Sequence, residues 1–102
     1  MITVRVETTE TGVTLFVVGK FDFRTTQQFL DVAESEEVSK AKELCINFRE
    51  TTALDSSAIG CLLRLHANSA KLGRKIILTK AFGHIDAALK VARLDKLFTI
   101  VE

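Results

Sequence analysis

Leu54-Asp55-Ser56-Ser57-Ala58-Ile59-Gly60 sets an acid and two hydroxyls where a short turn gives way to an amphipathic helix. Downstream of it, Ile59, Leu62, Leu63, His66, Ala67 and Ala70 recur at helical spacing and predict one largely apolar stripe. The helix runs from about Ser56 to Ala70, and Gly73 supplies its C-terminal stop. The hydroxyls therefore fall at a helix N-terminus, where unpaired N–H groups and the positive end of the dipole favour negative charge. A phosphate added there is tolerated by its own helix, yet changes the surface offered to a partner.

Outward from this stretch, strands and helices alternate. Met1 to Glu7 and Val13 to Val18 read as a hairpin joined by Thr8-Thr9-Glu10-Thr11-Gly12. A first helix follows Gly19-Lys20-Phe21-Asp22, with Thr25 and Gln28 as a capping box and Phe29, Val32 and Ala33 on its buried side. Glu43 to Phe48 reads as a central strand because its apolar residues are nearly continuous. Lys75 to Thr79 is a further strand. Ile85, Ala88, Leu89 and Ala92 mark a third helix, and Leu97 to Val101 a closing strand. The expected order is ββαβαβαβ, an α/β domain with helices packed on a mixed sheet. Residues 1–102 are expected to form one domain, with no Pro or linker dividing them.

Composition narrows the function. Apolar residues make up 47% and charged residues 26%, which places the chain among globular rather than disordered sequences. A net charge of +1 offers no general attraction to nucleic acid or an anionic membrane. The N-terminus lacks the basic and apolar blocks of a signal peptide, and no apolar run is long enough to span a membrane. Cys45 and Cys61 suit small apolar roles in a reducing compartment, so a cytoplasmic location is expected.

Enzyme chemistry lacks a constellation. There is no phosphate-binding glycine loop and no dinucleotide fingerprint. His66 and His84 have no metal-ligand spacing, and His66 reads as a core or boundary residue. No serine sits on a nucleophile elbow, and Ser56 is too far along the helix from His66 to bond it. Neither a cofactor nor a metal is expected. Asp55-Ser56-Ser57 also has a plain reading, as an N-cap of the preferred residue types. Away from the stripe lie Ser57, Cys61, Arg64, Leu65 and Asn68; Cys61 and Leu65 there mark either a contact face or positions covered by neighbouring elements.

Taken in order, the segments resemble the STAS family, in particular its single-domain bacterial anti-sigma factor antagonists. Gly19-Lys20-Phe21-Asp22 is similar to the family's G-x-L/F-D, and Leu44-Cys45-Ile46-Asn47-Phe48 to its central strand. Leu54 to Gly60 resembles its D-S-S/T-G-L-G signature, and Leu94-Asp95-Lys96-Leu97-Phe98 its closing L-x-x-L-F. The resemblance covers nearly the whole chain. It implies a STAS-like fold and assigns phosphorylation to Ser56, the first serine after the acid. It further implies a partner-switching cycle in which the unmodified protein binds a serine kinase/anti-sigma factor. Phosphorylation ends that binding, and a PP2C-type phosphatase restores it.

With the helix surface, the resemblance gives Asp22, Asp55, Ser57, Gly60, Cys61 and Arg64 as partner-binding residues on a monomer. Ala58 departs from the family's usual Gly, which suits a first helical turn but alters close backbone approach by a partner. Constant docking on a transporter ATPase is the alternative; it needs no phosphorylatable serine.

Overall fold

The hairpin predicted at the N-terminus is present from Ile2 onward, Met1 lying outside the described residues, and it starts a six-stranded sheet. In a computed structural model describing residues 2–101, β1 (Ile2–Thr8) pairs antiparallel with β2 (Val13–Phe21), from Ile2 opposite Gly19 to Thr8 opposite Val13. Thr9 holds the turn, its N–H donating to the Gly12 carbonyl at 2.8 Å and its Oγ1 accepting from the Gly12 N–H at 3.1 Å. A side chain at Gly12 would strike the carbonyl of Glu43, so the close approach of the next strand requires glycine there.

Two helices follow the hairpin. These are α1 (Thr26–Ala33) and the four-residue α2 (Glu36–Ser39). Strands β3 (Glu43–Asn47) and β4 (Thr51–Leu54) lead into α3 (Ser56–Leu72), and β5 (Lys75–Thr79) into α4 (Gly83–Val91). A 3-10 turn at Leu94–Lys96 precedes β6 (Thr99–Val101). Sheet order is β1-β2-β3-β5-β6, parallel after the first pair. β4 runs parallel to the last part of β2, where the register shifts between Gly19 and Lys20. The first half of β2 thus pairs with β3 and its end with β4.

Alternation along the strands gives the sheet two unlike faces. Val13, Leu15, Val17, Leu44, Ile46, Ile76 and Leu78 join helix residues Phe29, Leu62, Leu65, Ile85 and Leu89 in one core. Phe16, Cys45 and Ile77 point the other way and are only half-buried. Phe21 and Phe29 stack with centroids 4.6 Å apart, locking the end of β2 to α1.

Four local expectations change. First, α2 and β4 add to the expected order while the mixed α/β architecture stands. A single helical turn carries too little periodicity to be read, although Ser35 caps it by accepting from the Val38 N–H at 3.4 Å. Second, no capping box forms at Thr25. Its Oγ1 turns back to accept from the Asp22 N–H and to meet the Lys20 carbonyl at 2.9 Å, while the Gln28 amide donates to the Ile2 carbonyl.

Third, α3 is rotated from the expected stripe. It buries Ala58, Cys61, Leu62, Leu65 and Ser69, leaving Leu63, Ala67 and Ala70 exposed. The packing of α1 against α3 decides this, with Cys61 Sγ lying 3.9 Å from the Thr26 carbonyl. Fourth, Ala58 is fully buried, so its methyl serves the core and offers nothing to a partner. His66 remains a boundary residue, its ring edge-on to Phe98 at 5.1 Å.

Candidate functional site

Parallel strands deliver their C-terminal ends to one end of a sheet, and the loops that follow cluster there. Here those loops are residues 22–25 after β2, Asp55 after β4, and residues 80–82 after β5. Phe21 pairs with Leu54 in register, so the segments carrying Asp22 and Asp55 emerge side by side. The start of α4 packs on β4, where the His84 Nε2 lies 2.8 Å from the Thr52 carbonyl.

Asp55 joins the first two loops. One carboxylate oxygen accepts the Ala58 N–H at 2.9 Å and caps α3; the other accepts the Phe23 N–H at 3.0 Å, across 32 residues. Its own N–H donates to the Phe21 carbonyl at 3.3 Å. The N-cap reading is therefore correct and incomplete, because the same acid also ties down the Asp22 loop. Within that loop Asp22 Oδ1 accepts the Arg24 N–H at 3.0 Å, a turn closed by a side chain. Its Oδ2 meets Arg24 Nη2 at 3.5 Å.

Ser56 and Ser57 open α3, and both are exposed. No acidic residue occupies the first turn of α3, so Asp55 is the charge that answers the helix dipole there. One turn on, Gly60 is exposed, and a Cβ placed on it meets nothing within 4 Å. Nothing inside the fold requires glycine at that position. Phe23 projects from the tethered loop with 67% of its surface exposed, and Phe82 from the β5 loop with 61%. Sequence reading missed both, although an aromatic inside a polar turn, directly after Asp22, was a usable signal.

Two expected site residues sit elsewhere. Cys61 is buried beneath α1, which overturns its placement on the exposed face; neighbouring elements cover both it and Leu65. Burial pushes its thiol up to about 11, so it is neutral and unreactive at physiological pH. Arg64 is exposed but engaged, its guanidinium donating to both Glu34 oxygens at 3.0 and 2.9 Å while Asn68 adds a third bond at 3.1 Å. That cluster clamps α3 to the end of α1, away from the serines. Asp22, Asp55, Ser56 and Ser57 are thus brought together, Gly60 adjoins them, and Cys61 and Arg64 are not part of the group. Among the described residues, no group of three or more His, Cys, Asp or Glu is placed to hold a metal ion. No helix among them is long and apolar enough to cross a membrane.

The family model described as "Mlab, STAS domain" matches residues 4–102. The chain belongs to the STAS family. A STAS-domain containing protein of Pseudomonas aeruginosa is 30% identical over 87 residues, covering 85% of each chain. Among solved structures, the Bacillus cell fate determinant SpoIIAA, an anti-sigma factor antagonist, matches in both of its forms. The unphosphorylated form gives a TM-score of 0.72 at 15% identity over 98% of this chain and 88% of that one. The phosphorylated form gives 0.70 at 16%, over 98% and 92%. An anti-sigma factor antagonist from Mycobacterium paratuberculosis gives 0.82 at 19%, over 98% and 85%. A sulfate transporter family protein from Wolinella succinogenes gives 0.73 at 17%, over 89% and 75%. These likenesses establish a STAS fold, shared by proteins of both kinds.

Proposed function

We propose that this STAS domain is a phosphorylation-switched binding module, an anti-sigma factor antagonist rather than an enzyme, acting in the cytoplasm as a monomer. Unmodified, it binds a serine kinase/anti-sigma factor; that kinase transfers a phosphoryl group to the Ser56 hydroxyl and binding ends. A PP2C-type phosphatase hydrolyses the ester and restores the binding form.

One observation carries the reading. The exposed Ser56 hydroxyl stands at the start of α3, beside an acid whose two oxygens are both occupied in holding the site together. The scaffold is complete without the hydroxyl, which leaves Ser56 free for chemistry. A phosphate there meets the positive end of a helix dipole, so the fold tolerates it. A partner surface fitted to a neutral hydroxyl meets instead a charge of about −1.5 to −2 and must desolvate it. Asp22, Ser57, Gly60 and Phe23 complete the proposed contact surface.

Phosphopeptide mapping after incubation with the cognate kinase tests the assignment, and modification confined to Ser57 would refute it. Ser56→Asp should abolish capture of the kinase while the domain stays folded, and Ser56→Ala should bind without switching off.

The second reading is constant docking on a transporter ATPase, supported by the fold shared with the Wolinella transporter protein. Under it, Ser56→Asp leaves binding of the ATPase intact, and no phosphate accumulates on Ser56.

A further inference from the structure

We infer that Arg24 is the intramolecular receiver of the Ser56 phosphate, exchanging its contact with Asp22 for the phosphoryl oxygens and moving Phe23 with it. The inference rests on the assignment of phosphorylation to Ser56.

The hydrogen bond from the Phe23 N–H to Asp55 lies at the centre of the geometry. Arg24 follows Phe23 and Ser56 follows Asp55, so the two side chains start one residue on either side of a 3.0 Å contact. Successive Cα atoms are about 3.8 Å apart, which leaves the phosphoester within reach of an extended arginine.

Arg24 is also weakly held. Its side chain is 69% exposed and meets Asp22 through a single nitrogen at 3.5 Å. An ion pair so exposed is readily given up. A phosphate dianion carries more charge than the carboxylate and offers three acceptor oxygens, which a guanidinium can take two at a time.

Other cations near the site are committed or face elsewhere. Arg64 is bidentate to Glu34. The His84 ring is bound at the Thr52 carbonyl. Arg49 and Lys80 line a separate cavity with Arg5 and Phe16. Among the described residues the competitor that remains is Lys20, which lines the same groove as Arg24. Asp22 and Asp55 are the anions of the two adjoining segments, and a guanidinium drawn toward the phosphate offsets the repulsion between it and them.

The consequence reaches the partner surface. The Arg24 guanidinium stands 5.5 Å from the Phe23 ring centroid, so a new position for one changes the environment of the other. Phosphorylation then acts twice, placing charge on Ser56 and displacing the exposed aromatic beside it.

Phosphoserine installed at position 56 of the full chain by chemical ligation provides the test without a kinase. In a phosphorus NMR titration, the second ionisation of the phosphate should rise by several tenths of a pH unit in Arg24→Gln relative to the unsubstituted chain. Arg24→Lys should recover part of the difference, Arg5→Gln on the open sheet face should change nothing, and Phe23 ring resonances should lose their response to phosphorylation in Arg24→Gln. An unchanged midpoint in Arg24→Gln, or a shift seen only in Lys20→Gln, overturns the inference. Either result leaves the kinase assay on Ser56 untouched. Conversely, a kinase that ignores Ser56 sinks the proposed function without altering this titration.

Discussion

Gly60→Ala should make the domain more stable and its partner binding weaker. Gly60 is the fifth residue of a seventeen-residue helix and is exposed, and a Cβ there meets nothing within 4 Å. Its φ lies outside the left-handed region, so alanine is unstrained. With neither clash nor strain, intrinsic propensity remains, and glycine inside a helix is worse than alanine by ~0.5–1 kcal/mol. For a domain near 100 residues, each kcal/mol moves Tm by about 4–8 °C, so the expected rise is roughly 2–8 °C. Urea denaturation should show a higher midpoint at unchanged m, the mark of a stability change alone. The reciprocal change Ala67→Gly, exposed on the same helix, should lose a similar amount. Binding should move the opposite way, because the added methyl projects from the proposed contact surface into the space a partner would fill; a loss of tenfold corresponds to ~1.4 kcal/mol. A lowered midpoint for Gly60→Ala would refute the helix argument. Raised stability with unchanged affinity would remove Gly60 from the contact surface.

Asp55→Ala should cost ~1–2 kcal/mol in urea denaturation, toward the upper end for a helix cap because it also frees the Phe23 N–H; a loss below 0.5 kcal/mol, the floor of that range, would show that the loop needs no tether. Stability should decline as pH rises from about 9 toward 11, because the unfolded chain releases the Cys61 proton at its ordinary value of 9.0 while the buried thiol holds it to about 11. Cys61→Ala should flatten that part of the pH profile. In the native domain Cys61 should resist thiol reagents at neutral pH and react only on unfolding; rapid labelling of the folded protein would contradict its burial.

Much of this architecture is local, and local physics is legible in a sequence. Alternation from Val13 to Val17 sorts β2 into a core face and an open face without outside help. Gly73 ends α3 in the left-handed conformation, as glycine after a helix commonly does, and Asp55 caps the other end from three residues away. Ser56 and Ser57 could therefore be placed at a helix start from their neighbours alone. The short elements were less legible, since four residues of helix or of strand give periodicity too little length to register.

Tertiary contact decided the rest. Leu62 belongs both to the expected stripe with Ile59, Leu63 and His66 and to the buried one with Ala58, Cys61 and Leu65. Helical spacing permits either, and only the position of α1 selects the second, taking Cys61 into the core and leaving Leu63 outside. The second oxygen of Asp55 accepts from an N–H 32 residues away, and Phe23 stands beside the serines because β2 and β4 run parallel. Spacing along the chain reports on backbone within about one helical turn. Which helix covers a face, and which loop meets an acid's free oxygen, depends on strands that pair across tens of residues, so that part of the site came into being only when the sheet assembled.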